Sequence, residues 1–276
     1  MKTCWMRYSA ASASVSNMTV HFVDTHAHIL SESFQDDFEE MIRRTEEAHV
    51  DRIMIITLSN EETKKAVEFA QRDPYKYTVA AGIFPEDVKD LTDAYYEEFI
   101  QTVSMKEVSV IGEIGLDYYR EKDPGIRALQ RELFVRQIEL ARKLNKPIAV
   151  HSRDAMQDTF DIMKEHHWKG LMHCFAGSKE MAAEFIKLGY YIALGGPVTF
   201  KNARHSAEVV ASVDEKYLLT ETDCPYMAPV PKRGKRNEPA YIPYIAEKMA
   251  EIRGVSVEYI ADVILRNWDR FLEQCA

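Results

Sequence analysis

The chain of 276 residues has few cysteines, no long apolar run and a deficit of positive charge. Its four cysteines form no CxxC pair and no disulfide framework, so we expect a reducing, cytoplasmic location. No run of about 18 apolar residues occurs, so we expect no transmembrane helix and no membrane partner. Lys and Arg number 35 against 44 Asp and Glu, a net charge of −9. This balance argues against a protein that coats nucleic acid but permits a local contact through a few cations or metal ions.

The first 17 residues lack both a periodic apolar pattern and the apolar stretch of a signal peptide. We interpret residues 1–17 as a leader or tag outside the core, with a mitochondrial-type presequence as the alternative. Residues 18–276 are then expected to form one domain, because α/β barrels of about 250 residues are common.

Short apolar runs rich in β-branched residues recur along the remaining chain and read as buried parallel strands. The predicted strands cover 21–25, 52–57, 77–83, 108–113, 147–151, 170–174, 190–194 and 217–222. Amphipathic helical patterns lie between them, most clearly over 125–144, and two further helices are predicted at 240–253 and 256–273. Eight strands alternating with helices predict a single-domain (β/α)8 TIM barrel. An open, doubly wound sheet is the alternative, but no GxGxxG follows the first strand.

Side chains that can bind a metal ion gather at the predicted strand ends. They are Asp24, His26 and His28 after the first strand, Glu113, His151 and His173 at the fourth, fifth and sixth, and Glu221 and Asp223 at the eighth. The carboxyl ends of parallel barrel strands meet at one rim, where barrel active sites form. So many such groups at strand ends therefore predict a metal site at this rim.

The residue types indicate which metals and which chemistry to expect. Imidazole and carboxylate suit divalent ions such as Zn²⁺, Mn²⁺, Mg²⁺ or Ni²⁺. The two oxygens of one carboxylate can bridge two ions, a role that suits Glu113. Paired ions lower the pKa of bound water and stabilise both oxygens of an in-line displacement, so we expect two divalent ions and a hydrolase.

Seven segments together resemble the sequence blocks of TatD-family metal-dependent hydrolases. They are FVDTHAHI (22–29), IGEIGLDYY (111–119), PIAVHSRDA (147–155), MHCFAGS (172–178), GGPVTFKNA (195–203), LLTETDCPYMAP (218–229) and RGKRNEPAYI (233–242). The blocks occur in order and span most of the chain. The resemblance implies a (β/α)8 barrel that hydrolyses phosphodiester bonds, usually as a deoxyribonuclease.

The resemblance also implies roles for individual residues. It places His26, His28, Glu113 and Asp223 around one metal ion, and His151 and His173 with Glu113 around a second. Asp223 would orient the attacking water or accept its proton, and Glu113 and Asp223 are thus the expected catalytic residues. For Asp117 two interpretations stay open, support of a ligand histidine from outside the metal site or capping of a turn, and Glu221 is expected to play a similar supporting part.

One departure from the family pattern concerns the substrate side. After the third strand the family usually reads Gly-x-His-Pro, whereas this chain reads Gly82-Ile83-Phe84-Pro85. We expect Phe84 to face the substrate and to stack on a base or sugar.

Cations that follow other strands are candidate phosphate ligands. Lys232 to Arg236 carries four cations in five residues, which is either a solvated surface or a phosphate site. The expected substrate contacts are Arg153, Lys201, Asn202, Arg233, Lys235 and Arg236, besides Phe84.

These residues predict a cytoplasmic hydrolase that cleaves DNA, single-stranded or bound by its end, in the manner of a 3′-exonuclease. No obligate protein partner is indicated. One alternative is an amidohydrolase-type enzyme that acts on a small amide, lactone or aminoacyl ester. Another is a barrel that only binds or scaffolds, which the intact set of six ligand candidates argues against.

Overall fold

The computed structural model describes residues 19–274, so the predicted leader at 1–17 lies outside the described residues. Eight parallel strands occur within this range. They are β1 Phe22–Ala27, β2 Val50–Thr57, β3 Tyr77–Ala81, β4 Val108–Asp117, β5 Ile148–Arg153, β6 Gly170–Met172, β7 Tyr191–Leu194 and β8 Leu218–Thr220. Nearly all strand residues are buried, as expected when helices cover a parallel sheet.

Helices connect the strands and cover the outside of the sheet. They are α1 Phe38–Glu47, α2 Asn60–Ala70, α3 Asp93–Val103, α4 Pro124–Leu144, α5 Met156–Glu165, α6 Lys179–Lys187, α7 Arg204–Ser212, α8 Ile242–Arg253 and α9 Val257–Glu273. Short 3₁₀ helices at Glu32–Phe34, Pro85–Lys89, Gly196–Thr199, Glu215–Tyr217 and Pro239–Tyr241 lie in the connections. None of the helices between residues 19 and 274 is long and apolar enough to cross a membrane.

The strands pair in sequence order from β1 to β8, each parallel to the next. A doubly wound sheet would reverse its strand order at one point, so this topology removes that alternative and confirms the predicted (β/α)8 barrel. Three predicted strand ends were too early, since β1 continues to Ala27, β4 to Asp117 and β5 to Arg153. In β4, Gly115, Leu116 and Asp117 pair with residues of β5 where the sequence suggested a loop.

The barrel closes between β1 and β8 through mixed side-chain and backbone bonds. A single parallel bridge joins Ala27 to Cys224. Thr25 Oγ1 donates to the carbonyl of Thr220 at 3.0 Å, and Thr220 Oγ1 donates to the carbonyl of Val23 at 2.7 Å. We call this β1–β8 contact the seam.

Asp24 continues the seam toward the carboxyl end of the barrel. Its Oδ1 accepts from the Thr222 N–H at 2.8 Å and its Oδ2 from Thr222 Oγ1 at 2.6 Å. The Asp223 N–H then donates to the carbonyl of His26 at 2.9 Å, and the His28 N–H donates to the carbonyl of Cys224 at 3.0 Å. Closure of the barrel thus fixes the segments that carry three predicted metal ligands.

Two of the irregularities in strand pairing coincide with predicted metal ligands, His26 and Glu113. Between Asp24 and Ala27, β1 has one residue more than the paired part of β2, and His26 lies in this bulge. Between Ile111 and Ile114, β4 has one residue more than β5, and Glu113 lies there. A bulge re-aims a side chain that regular alternation would point elsewhere, which is why bulges are frequent next to active sites.

We expect the seam to contribute measurably to stability. Thr220→Val keeps the side-chain volume but leaves the carbonyl of Val23 without its donor, so the free energy of unfolding should fall by about 1–3 kcal/mol. Urea unfolding of both proteins measures the change. Thr78→Val is the control, because Thr78 is buried in β3 and no side-chain hydrogen bond is seen for it within residues 19–274. An equal loss in both variants would contradict a special role for the seam.

Candidate metal centre

Four histidines and two carboxylates converge at the carboxyl end of the barrel. The first group is His26, His28 and Asp223, whose ligating atoms all lie within 4.8 Å of one another. His26 Nε2 is 3.3 Å from His28 Nε2, and Asp223 Oδ1 is 3.7 Å and 3.6 Å from the two nitrogens. His26 lies in β1, His28 directly follows it, and Asp223 lies in the segment after β8 that the seam holds against β1.

The second group is Glu113, His151 and His173, again with ligating atoms within 4.8 Å of one another. Glu113 Oε1 is 2.8 Å from His151 Nδ1 and 3.7 Å from His173 Nε2. The other oxygen, Oε2, is 3.3 Å from His26 Nε2 and 3.8 Å from His28 Nε2. One carboxylate therefore directs one oxygen to each histidine pair.

The backbone is unusual at both Glu113 and Asp223, through a close approach of two segments at the first and a left-handed conformation at the second. A Cβ at Gly82 would lie 2.4 Å from the Glu113 carbonyl, so the bulge in β4 approaches β3 only because residue 82 is glycine. Asp223 has φ +55°, in the left-handed region. Strained residues of this kind persist where the surrounding bonds fix them, often at functional sites, and here the Asp223 N–H is bonded to His26.

The electrostatics show that this cluster favours added positive charge. Burial by itself lowers the pKa of His173, but the charges of Glu221, Glu113 and Asp223 outweigh it and raise this pKa to about 10. The pKa of His151 rises to about 9, because hydrogen bonds to Asp117 and Glu113 outweigh the effect of burial. Burial raises the pKa of Glu113, yet the neighbouring charges on His173 and His26 hold it well below its ordinary value.

The donor set fits divalent metal ions. The six side chains supply only imidazole nitrogens and carboxylate oxygens, the ligands preferred by ions such as Zn²⁺ and Mn²⁺. Glu113 is 4% exposed, and a carboxylate this deeply buried is costly unless cations lie beside it. The cluster is thus able to bind metal, and it brings together the six residues that the sequence indicated.

Two further carboxylates hold histidines of the cluster from outside it. Glu221 Oε2 lies 3.0 Å from His173 Nδ1, and Glu221 Oε1 accepts from the Cys174 N–H at 2.6 Å. Asp117 Oδ2 lies 3.3 Å from His151 Nε2, while its Oδ1 accepts from the Arg120 N–H at 2.9 Å. Asp117 therefore both contacts a histidine of the cluster and caps the turn that leads to Arg120. Asp24, which the sequence also marked as able to bind metal, instead bonds Thr222 in the seam.

Sequence reasoning missed two glutamines of α4 that position the rim. Gln130 Oε1 accepts from the Asp117 N–H at 3.1 Å. Gln137 binds both polar groups of Ile83, accepting from its N–H at 2.9 Å and donating to its carbonyl at 3.0 Å. Both glutamines are at most 1% exposed. They interrupt the apolar face of α4 beside Leu133 and Phe134, and this interruption is the signal that could have revealed them.

A buried asparagine beyond β8 was also missed. The Asn237 side-chain amide donates to the carbonyls of Thr222 at 2.8 Å and Tyr226 at 2.7 Å, so it holds both sides of the turn that contains Asp223. Asn237 lies in the segment RGKRNEPAYI (233–242) that carries the family resemblance, but nothing in its polar surroundings indicated that its side chain is buried.

The predicted substrate contacts separate into three places. Arg153, at the end of β5, lies over the Tyr119 ring with its guanidinium carbon 3.9 Å from the ring centroid. Arg233 lies over the Phe200 ring, with its guanidinium carbon 4.1 Å from the ring centroid. Phe200 directly precedes Lys201 and Asn202 in the chain, and both of these residues are exposed. Phe84 lies against the ligand histidine His151, with the ring centroids 5.0 Å apart.

Two of the predicted contacts lie elsewhere. Arg236 donates to both oxygens of Asp37 at 2.7 Å and to the carbonyl of Ser33 at 2.6 Å, so its guanidinium is occupied within the protein. Lys235 lines a cleft on the outer wall of the barrel, together with residues of α1 and α8. Their positive charge in the sequence gave no indication that Arg236 binds Asp37 or that Lys235 lies near α1 and α8.

A (β/α)8 barrel with a histidine–carboxylate cluster at its carboxyl rim defines the class of metal-dependent hydrolases, and the known relatives agree. The sequence pattern of the family described as TatD related DNase matches residues 23–273. The uncharacterized metal-dependent hydrolase YabD of Bacillus subtilis is 41% identical over 250 residues, 90% of this chain and 97% of that protein. The uncharacterized metal-dependent hydrolase YcfH of Escherichia coli K12 is 40% identical over 69% of this chain and 72% of its own.

Among solved structures, the TatD homolog YjjV of Escherichia coli superimposes with a TM-score of 0.83 at 29% identity. The superposition covers 89% of this chain and 95% of that one. The chain belongs to the TatD family of metal-dependent hydrolases.

The contact between Asp117 and His151 predicts a loss of metal affinity when its charge is removed. In Asp117→Asn a neutral amide replaces the charged carboxylate that accepts from the His151 imidazole. Affinity for Zn²⁺ or Mn²⁺ should therefore fall about tenfold to a hundredfold. Isothermal titration calorimetry measures this. Asp154→Asn is the matched control, because Asp154 is exposed and its φ of +54° is one that asparagine tolerates. Equal affinities in wild type and Asp117→Asn would contradict the role of this contact.

Proposed function

We propose that this TatD-family hydrolase cleaves phosphodiester bonds in DNA and uses two divalent metal ions. The observation that supports it best is the arrangement around Glu113, whose Oε2 faces His26 and His28 while Oε1 faces His151 and His173. A carboxylate placed in this way can bridge two ions, with Asp223 completing the first group. The identity of the ions, among Zn, Mn, Mg and Ni, is for metal analysis to decide.

The chemistry of two divalent ions suits phosphoester hydrolysis, because such ions lower the pKa of water and neutralise charge on phosphate oxygens. The protein's own residues complete the proposed reaction. Asp223 has a pKa below its ordinary value, because the charge of His173 and hydrogen bonding to His28 outweigh the effect of burial. It is thus ionised at neutral pH, oriented by its backbone bond to His26, and able to orient water and accept a proton.

Cations on two sides of the rim support a phosphate-bearing substrate. Arg153 is exposed, and no carboxylate partner is seen for it within residues 19–274. Arg233, Lys201 and Asn202 lie together at the other side, because Arg233 packs on Phe200. Guanidinium groups bind phosphate oxygens through two parallel hydrogen bonds. The exposed rings of Tyr119 and Tyr226 and the half-buried Phe84 offer stacking surfaces, which favours unpaired bases or strand ends.

The direct test uses metal-loaded protein with end-labelled single-stranded DNA, and in parallel with a panel of small esters, lactones and amides. We expect shortening of the DNA from its 3′ end. Turnover of an ester or amide with intact DNA would replace this proposal by the amidohydrolase-type alternative. The cytoplasmic location and the lack of an obligate protein partner remain predictions from the sequence alone.

Removal of the bridging charge should affect both metal content and rate. Glu113→Gln should bind fewer than two ions per chain and lose DNA cleavage by at least about a hundredfold. The reason is that an amide NH2, which does not ligate metal, replaces one of the two oxygens that would bridge the ions. Metal analysis by inductively coupled plasma mass spectrometry and a cleavage assay measure these effects. Glu132→Gln, on the exposed side of α4, is the control. Two bound ions with near-normal cleavage in Glu113→Gln would refute the bridge.

Loss of a phosphate contact should act on DNA more than on metal binding. Arg153→Ala should lower kcat/KM for DNA about tenfold or more, because a charge-assisted hydrogen bond to phosphate is lost, while metal content stays unchanged. Arg266→Ala, an exposed pair with Asp262 on α9, is the matched control. An unchanged kcat/KM in Arg153→Ala would exclude this arginine from the substrate site.

A further inference from the structure

An open cleft of about 600 Å³ lies on the outer wall of the barrel. Its walls are the second half of α1, the segment 232–238, the 3₁₀ helix that ends at Tyr241 and the start of α8 at Tyr244. We call it the outer cleft. Its volume lies within the range of small-molecule sites in proteins.

The charges of the outer cleft leave two lysines unpaired. Glu238 accepts from Arg44 Nε at 2.8 Å and from Arg44 Nη2 at 2.7 Å. Arg236 is bound by Asp37, and Glu47 is bound by Arg43 at 2.6 Å. No carboxylate pairs with Lys232 or Lys235 within residues 19–274, so the cleft presents an excess of positive charge.

Two tyrosine rings position one of these lysines. The centroids of Tyr241 and Tyr244 are 6.1 Å apart, and Lys232 Nζ lies 5.4 Å and 6.0 Å from them. Both rings are partly exposed. Cation and aromatic surfaces in this combination are what proteins use to bind the phosphates and the bases of single-stranded nucleic acid.

The wall of the outer cleft is joined to the metal centre by short bonds. The Asn237 N–H donates to the carbonyl of Pro225 at 3.0 Å, and its side chain bonds both sides of the Asp223 turn. In the same segment, Arg236 donates to the carbonyl of Ser33, and the Ser31 N–H donates to the carbonyl of His28 in the metal cluster. The cleft and the metal ligands therefore share two loops at one end of the barrel.

We propose that the outer cleft is a second nucleotide subsite, which binds the part of a nucleic-acid strand that extends beyond the metal centre. Lys232 and Lys235 bind its phosphates, and Tyr244 stacks on a base. This inference rests on the proposed function, because it requires a strand whose end lies at the metal centre. It explains how a chain of net charge −9 binds an anionic polymer through a short, local track.

The test compares cleavage of a dinucleotide, which occupies only the metal centre, with cleavage of a single-stranded 12-mer by metal-loaded protein. We expect kcat/KM of the wild type to be about tenfold or more higher for the 12-mer. Lys232→Ala and Tyr244→Leu should lose most of this gain and keep the dinucleotide rate, whereas Tyr244→Phe, which retains the ring, should keep the gain. Lys164→Ala, an exposed lysine in the last turn of α5, is the control, and thermal unfolding verifies the fold of each variant.

The outcomes separate this inference from the proposed function. A gain with length that survives in Lys232→Ala and Tyr244→Leu overturns the subsite, as does a wild type without any gain. If the protein cleaves neither substrate, the proposed function is refuted. Fluorescence polarisation of a labelled 12-mer then tests by itself whether the cleft binds a strand. Binding weakened about tenfold by Lys232→Ala would support it, and equal binding would overturn it. If free mononucleotide binds the wild type as tightly as the 12-mer does, the assignment to a strand is overturned.

Discussion

The arrangement of this protein depends on one buried carboxylate, Glu113, held among four imidazoles. A carboxylate out of contact with water is unfavourable by several kcal/mol unless positive charge lies beside it. His151 is 2.8 Å away on one side and His26 3.3 Å on the other, and the surrounding acids raise the pKa of His151 and His173 above neutrality. The negative charge that raises the pKa of His151 and His173 is also what divalent metal ions would neutralise, so folding and metal binding answer a single electrostatic need.

Closure of the barrel and assembly of the metal centre are carried by neighbouring bonds. Thr25 and Thr220 join β1 to β8, Asp24 continues the contact to Thr222, and the Asp223 N–H bonds the carbonyl of His26. A barrel that failed to close here would separate Asp223 from His26 in β1 and from His28 directly after it. Bulges at His26 and Glu113 then aim these side chains inward. Stability and site geometry are thus coupled through the strands that are most distant in sequence.

The sequence indicated the metal cluster because parallel strands have a polarity that brings their carboxyl ends to one rim. His26, His28, Glu113, His151, His173 and Asp223 could be placed together from strand order alone, and the structure brings all six together. The charges after β8 were harder to place. Arg236 binds Asp37, 199 positions earlier, and no local pattern shows that pairing. Gln130 and Gln137 were missed because a helical face was read for its apolar residues, although buried amides on such a face must bond something.

The sequence by itself determined the alternation of strands and helices, the closed barrel and the six side chains at its rim, because apolar periodicity and strand polarity are local properties that add up along the chain. Only the tertiary structure decided which oxygen of Glu113 faces which histidine pair, which cations are neutralised by acids and which remain for a ligand. Lys232 and Arg236 are four positions apart, yet one lies against two tyrosine rings and the other is bound by Asp37. The energy of a charge depends on its neighbours in space, and those neighbours come from distant parts of the chain.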